Sequence, residues 1–435
     1  MTVSKFNFDI LFLGGAFNEE EIIKESKSNV QFAANVLQWN IIEGLDFLNA
    51  KPINLLNAIF IGSYPRFYKK VFIKRKEWSH SPGANDIDVK FWNLPIYKKI
   101  SRGWSLSKEI KFWAKKNDDR EKIIIAYSMD YSILRAMKAA KVSNPKINTC
   151  LIVPDLPQFM NLSSSEKLIF KVMKNFECKL IKKLQKYVDS YVLLTKHMAG
   201  SLKLKNKPYV VIEGMVNISE HEIQDVQKEI AEKTNLNTIL YTGTLNKKYG
   251  IINLLEAFKL MENENYRLQI CGTGEARNEI IEMAKLDRRI DFRGRVSREE
   301  AVLLQRKATV LINPRNDEGE FTKYSFPSKM MEYLVSGVPT VAYKLPGMPE
   351  EYNDYIYFIK ENTVNSIADT LIRVCEKSPF ELKNFGEAAK RFVLTEKNNV
   401  KQVEKMFELF MKEHLAEIKE NNELVQAKKF MGKFG

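Results

Sequence analysis

At 435 residues with 45% hydrophobic content, the chain is too long for one ordinary domain and has apolar mass for two or three cores. Its 68 Lys and Arg against 54 Asp and Glu leave a net charge of +14, which calls for a negatively charged partner: nucleic acid, an anionic bilayer surface or a phosphorylated substrate. Four scattered cysteines (Cys150, Cys178, Cys271, Cys375) argue against a zinc or disulfide framework, and lysines spread without an arginine-rich arm or aromatic RNP-type motif rank nucleic acid last.

The N-terminus lacks signal-peptide design and no apolar run reaches the ~18 residues of a membrane span, so a soluble cytoplasmic protein is expected. Short apolar runs then alternate with helix-periodic stretches, the pattern of parallel sheets covered by helices. The first half predicts strands over Phe8–Gly15, Asn57–Ser63, Asp88–Leu94, Lys122–Ser128, Asn148–Leu156, Ser190–Thr195 and Tyr209–Gly214, with helices such as Val30–Leu45 and Leu106–Lys116. In Ser164–Val188 apolar residues and lysines alternate at helical spacing, which fits a helix packed on the sheet or one lying on an anionic membrane.

A boundary near Glu213–Ser219 separates the halves. The second half predicts strands over Thr238–Leu245, Arg267–Gly274, Ile290–Val296, Ala308–Pro314, Pro339–Lys344 and Tyr355–Ile359. Its helices are Gly250–Met261, Ala276–Ala284, Arg298–Lys307, Pro327–Ser336 and Ser366–Lys377. From about Asn399 a single charged helix reaches Lys429 and must lie on the domains or form a tail. The expectation is an α/β protein of two Rossmann-like, doubly wound parallel-sheet domains facing a cleft (1–215 and 216–395) with a long C-terminal helix (396–435).

Four features of the second half converge on a phosphate-bearing ligand. Tyr241-Thr-Gly-Thr-Leu-Asn-Lys-Lys-Tyr-Gly250 runs from a strand into a glycine turn with Lys247 and Lys248. Gly272 and Gly274 make a Gly-x-Gly turn that an ordinary β-turn explains equally well. Arg293-Gly-Arg295 leaves the next strand, where backbone groups could approach a base. Residues 324–339 read as a loop and helix: Ser325 as N-cap, Phe326, Pro327 in the first turn, then Ser328, Lys329 and Glu332 on one face. The first turn would attract an anion and Glu332 would accept hydrogen bonds from a ribose; a solvated amphipathic helix is the bland alternative.

The order Gly-x-Leu…Lys…Gly, Gly-x-Gly, Phe-x-Gly-x-Val, Asn-Pro…Phe-Pro…Glu…Gly-Val-Pro resembles the family 4 glycosyltransferases, specifically over Thr238–Glu350 and more weakly through Gly14-Gly15, Ala126-Tyr-Ser128 and Val153-Pro-Asp-Leu-Pro157. Phe326-Pro-Ser-Lys and Lys344-Leu-Pro-Gly-Met-Pro-Glu look like members from bacterial polysaccharide clusters. The resemblance implies the GT-B fold and a retaining, metal-independent transferase. Its donor would be a nucleotide-diphosphate sugar, UDP favoured, and its acceptor a saccharide or lipid-linked saccharide.

Glu332 matches the second Glu of the family's Glu-x7-Glu motif; the first falls on Tyr324, so its contact with the donor sugar is either missing or supplied by Glu318 or Glu320. The family's Gly-Arg becomes Gly243-Thr244 and its lysine shifts by one, with Lys248 preferred for the diphosphate and Lys247 and Lys329 as partners. Asp155 stands where the family often has His or Asp facing the anomeric carbon, and Gly15 on the acceptor-side loop. Catalytic candidates are therefore Asp155, Lys248 and Glu320, with no cofactor and no metal. Asp86-Ile-Asp88 matches the Asp-x-Asp metal motif of another transferase class but precedes a strand and reads as a polar loop. Other readings are a nucleotide-sugar epimerase or a catalytically silent scaffold binding a membrane or partner.

Overall fold

Asp9–Gly14, Lys122–Tyr127 and Asn148–Val153 are buried at every residue, as strands covered on both faces must be. The computed structural model describes residues 6–27, 30, 32–159, 168–218 and 237–411. It divides into a first unit of residues 1–212 with the chain from 399, and a second of residues 213–398.

The first unit holds β1 (Asp9–Gly14), β2 (Asn54–Asn57), β3 (Phe72–Ile73), β4 (Lys76–Trp78), β5 (Asp86–Asp88), β6 (Phe91–Trp92), β7 (Lys122–Tyr127), β8 (Asn148–Val153), β9 (Ser190–Leu193) and β10 (Tyr209–Val211). Eight form one sheet in the order β10-β9-β8-β7-β1-β2-β5-β4, and β3 pairs with β6 as a separate ribbon. All pairs of the large sheet are parallel except β4 with β5. The helices are α1 (Glu19–Glu25), α2 (Phe32–Leu48), α3 (Tyr97–Lys115), α4 (Tyr131–Ser143), α5 (Leu168–Leu184) and α6 (His197–Leu202).

Two expectations need correction here. The apolar run Asn57–Ser63 is not a strand beyond Asn57. It leaves the sheet at the carboxyl end of the interior strand β2, and the Ala58 and Phe60 amides bond the carbonyls of Gly14 and Gly15 at 2.9 and 3.4 Å. Asp86-Ile-Asp88 is a strand and not a loop. Asp86, buried, accepts the Leu55 amide at 2.9 Å and meets His80 Nδ1 at 2.7 Å, while His80 Nε2 meets Asp46 at 2.9 Å. Burial would lower the imidazole pKa, but the hydrogen bonds it donates to the Asp46 and Asp86 carboxylates outweigh it and raise it to about 9.

The helix from residue 399 packs on this unit: Val403, Met406 and Phe407 are fully buried, and the Phe407 ring stacks 4.2 Å from Phe6. Its expected extension to Lys429 passes residue 411 and lies outside the described residues, as do residues 164–167 of the basic stretch.

The second unit contains β11 (Asn237–Thr242), β12 (Tyr266–Cys271), β13 (Ile290–Gly294), β14 (Val310–Asn313), β15 (Thr340–Tyr343) and β16 (Tyr357–Ile359). They form an all-parallel sheet in the order β13-β12-β11-β14-β15-β16. Numbered within the unit this is 3-2-1-4-5-6, the doubly wound order, whose direction of winding reverses between β11 and β14. Helices α7 (Ile251–Lys259), α8 (Arg277–Leu286), α9 (Arg298–Lys307), α10 (Lys329–Val335), α11 (Val364–Cys375) and α12 (Pro379–Glu396) connect and cover it. A capping box between Ser378 and Glu381 starts α12, with Pro379 in the first turn.

Candidate functional site

In an open parallel sheet, ligands collect at the carboxyl ends of the strands where the winding reverses. In the second unit that position is flanked by the exits of β11 and β14. After β11 the chain passes Gly243 and Thr244 into a 3-10 turn, Lys247–Tyr249, whose Lys248 amide is capped by Asn246 Oδ1 at 2.9 Å. Gly250 ends the turn at φ 77°, and a Cβ there would fall on the Pro314 carbonyl oxygen. Only glycine lets the lysine turn lie against the exit of β14.

Arg315 follows Pro314. Its guanidinium sits 5.2 Å from the Tyr249 ring centroid and 5.0 Å from that of Phe321, and its Nη2 donates to Ser325 Oγ at 2.8 Å. The arginine thus joins the β11 exit, the β14 exit and the segment leading to α10. Lys248 is exposed, and its ammonium pairs with no carboxylate among the described residues.

Helix α10 differs from the expected Pro327–Ser336 in a way that matters. It begins at Lys329 and runs seven residues, with Ser328 as N-cap and no side-chain cap. The residue before a proline avoids helical angles, and Phe326, which precedes Pro327, turns into the core 5.3 Å from the Tyr352 ring. Ser325 is therefore not the cap, and Phe326 has no face left for a ligand. Glu332 lies in the first turn, where it takes an ion pair from Lys329 at 2.6 Å. So short a helix contributes little dipole, and side-chain charge becomes the main source of positive potential.

Tyr333 fixes this helix to β11. Its buried hydroxyl accepts the Thr242 amide at 2.8 Å and donates to the Thr242 carbonyl at 3.1 Å. Those backbone groups lie past the last paired residue of β14, so the tyrosine replaces a strand there. Burial pushes the Tyr333 phenol pKa well up, keeping it protonated as a donor.

The Gly-x-Gly turn has a packing reason. A Cβ on Gly272 would fall on the Gly243 carbonyl oxygen, and one on Gly274 on that of Leu245. The Gly243 amide bonds Cys271 and the Leu245 amide bonds Thr273, at 3.0 and 2.9 Å. The Gly272 amide extends the seam to Gly294 at 2.7 Å.

Other expected residues are placed less favourably. Lys247 pairs with Glu279 of α8. Arg293 is held by Asp291 at 2.8 Å on the edge strand β13, two strands from β11, and Arg295 is exposed beyond it. Tyr324, in place of the motif's first Glu, donates its hydroxyl to Glu320 at 3.2 Å; Glu318 accepts from Asn362 at 2.7 Å. Pro327 and Ser328 lie in the turn before α10.

In the first unit Gly15 follows β1, its amide bonded to Gln38 Oε1 at 2.9 Å and its Cβ position filled by the Phe60 ring. Asp155 is exposed two residues beyond β8, and its charge adds to burial in raising the Tyr127 pKa, which puts it near the carboxyl end of β7.

Residues 222–392 match the family model described as glycosyl transferases group 1. Solved structures match over nearly the whole chain. A sucrose-phosphate synthase from Thermosynechococcus elongatus is 14% identical with a TM-score of 0.61, covering 94% of this chain and 100% of its own. Anabaena HepE in complex with UDP is 11% identical at TM-score 0.61, covering 93% and 100%. The fold is GT-B. A trehalose-6-phosphate synthase from Burkholderia multivorans has the same GT-B architecture, at 10% identity and TM-score 0.61 over 95% and 98%. No curated protein sequence matches the chain. Among the described residues no helix is long and apolar enough to cross a membrane.

Proposed function

We propose that the chain is a retaining, metal-independent glycosyltransferase of family 4. It would move a sugar from a UDP-sugar to a saccharide or lipid-linked saccharide in bacterial surface-polysaccharide synthesis, in the cytoplasm or peripherally on the membrane. The second unit would hold the donor and the first the acceptor. The observation that carries the reading is that Lys248 and Arg315 stand on the two loops leaving β11 and β14, joined by the contact of Arg315 with Tyr249, at the winding reversal of a sheet whose segment 222–392 matches glycosyl transferases group 1. A neighbour of this fold holds UDP.

Cleavage between an anomeric carbon and a diphosphate builds negative charge on the departing phosphate. Lys248 and the ring-braced guanidinium of Arg315 would stabilise it in place, the kind of fixed charge that lowers a barrier most. Glu332, steadied by Lys329, would accept ribose hydroxyls. Glu320, steadied by Tyr324, would take the donor-sugar contact of the missing motif carboxylate. Asp155 would orient the acceptor, whose hydroxyl attacks on the face the leaving group vacates and gives its proton to the departing phosphate.

Mass spectrometry together with proton NMR, which reads anomeric and epimeric configuration, of UDP-sugar mixtures with saccharide and lipid-linked acceptors tests the reading. Acceptor-dependent UDP release, unchanged by chelator and with anomeric configuration retained, is expected. Turnover of donor alone to an epimer would replace the reading with the epimerase, and no turnover with any donor would leave the silent scaffold.

A further inference from the structure

The first unit exposes large apolar side chains along one short stretch. Trp92, Leu94, Ile96, Tyr97 and Trp104 all face solvent, Ile96 at 58% and Trp104 at 52%. Tyr97 and Trp104 stand two turns apart on α3 and so share a face. The Trp92 amide is bonded to Ser101 Oγ of that helix at 3.2 Å, and its ring lies 5.0 Å from Phe72. Surface apolar residues normally occur singly, and a cluster marks a contact surface.

Backbone conformation singles out the same place. Ile96 has φ 66° and ψ −58°, with the Tyr97 amide bonded to the Pro95 carbonyl at 2.7 Å. This is a γ-turn of the rare, strained hand, centred on a β-branched residue. The strain is held in order to point an isoleucine at water, the reverse of what core packing would select. Charge gives the third observation. Residues 90–111 carry six cationic side chains, of which Arg102 is buried, Lys98 is bonded to the Ile61 carbonyl and Lys99 is paired with Glu177, against one carboxylate, Glu109, which is bonded by Arg75 at 3.0 Å. Lys90, Lys108 and Lys111 are exposed with no carboxylate partner among the described residues.

The geometry points to this patch as a docking surface for an anionic lipid bilayer. The Leu94–Tyr97 turn enters the boundary between headgroups and acyl chains, the two tryptophans sit at headgroup level, and the lysines meet lipid phosphates. It is a separate element from the basic helix α5, and it deepens the proposed function by resting on a lipid-linked acceptor. A nucleic-acid partner would use the lysines but gain nothing from a turn built to project aliphatic tips, and a protein partner, which would use both, is separated by the vesicle test.

The test is co-sedimentation with vesicles of equal phosphatidylglycerol and phosphatidylcholine, and with phosphatidylcholine alone. The wild-type chain is expected to bind the anionic vesicles and not the neutral ones. Ile96→Gly suits the positive φ, so its melting temperature should hold or rise while vesicle affinity falls at least fivefold. Trp104→Gln, on a helix surface, should fall similarly. The inference is overturned if the wild type ignores anionic vesicles or both variants bind as the wild type does. It is equally overturned if Lys182→Gln with Lys183→Gln on α5 removes binding that the patch variants keep. UDP titration of the same preparations without vesicles separates the two readings, since a failure to bind UDP removes the enzyme and leaves the membrane result standing.

Discussion

The Tyr333 hydroxyl and the backbone of Thr242 exchange two hydrogen bonds, 2.8 Å from amide to phenol oxygen and 3.1 Å from phenol to carbonyl. A residue of α10 thereby supplies the ladder partner that β14 does not give to the end of β11. The loop bearing Lys248 starts one residue later, so helix and lysine loop are positioned by one side chain.

Tyr333→Phe should leave both Thr242 groups buried without that partner, a loss of about 1–3 kcal/mol. Urea denaturation measures the stability and UDP titration the coupling. UDP affinity should drop several-fold although Tyr333 is buried away from the ligand. Unchanged affinity in a destabilised variant would mean the loop holds its shape without the helix.

Gly272→Ala tests whether the Gly-x-Gly turn serves packing or phosphate. A Cβ would overlap the Gly243 carbonyl, and Gly272 sits at φ 149°. Backbone displacement at so crowded a point should cost at least about 2 kcal/mol. Calorimetry should therefore find a markedly lower melting temperature. A variant with wild-type stability and lost UDP affinity would return the turn to the ligand.

His80 should give the first unit a pH-dependent stability. Its folded pKa is raised to about 9 from 6.5. The folded state therefore binds the proton more tightly, and the benefit is complete below about pH 6.5 and lost as pH climbs through 9. Its upper bound is about 3 kcal/mol at 1.36 kcal/mol per unit. Denaturation between pH 6 and 10 should show stability falling across this window in the wild type and less steeply in His80→Gln. Equal slopes would place the proton elsewhere.

Strands β7, β8, β14 and β15 could be read in the sequence because strands buried on both faces appear as nearly unbroken apolar runs, while β12 and β13 showed instead as alternating apolar and polar residues. The same rule misled at Asn57–Ser63, where an equally apolar run leaves the sheet to cover Gly14 and Gly15; periodicity does not record which backbone pairs with it. The α10 boundary was misplaced because Ser325 and Pro327 form a good cap signal only if Phe326 can be helical, and core packing decides otherwise. Arg315 was not singled out at all. No local pattern marks an arginine after Asn-Pro; its role comes from Tyr249 and Phe321, which the fold brings to either side of it. The need for glycine at 272 is likewise set by a carbonyl on a neighbouring strand's loop.

The central claim is that the exits of β11 and β14 grip a diphosphate, and calorimetric titration of UDP and uridine into wild type and Lys248→Ala tests it most directly. UDP should bind the wild type far more tightly than uridine. Lys248→Ala should weaken UDP at least tenfold, about 1.4 kcal/mol, with uridine binding and thermal stability unchanged. Equal affinity for the two ligands, or UDP binding untouched by the substitution, would contradict the account.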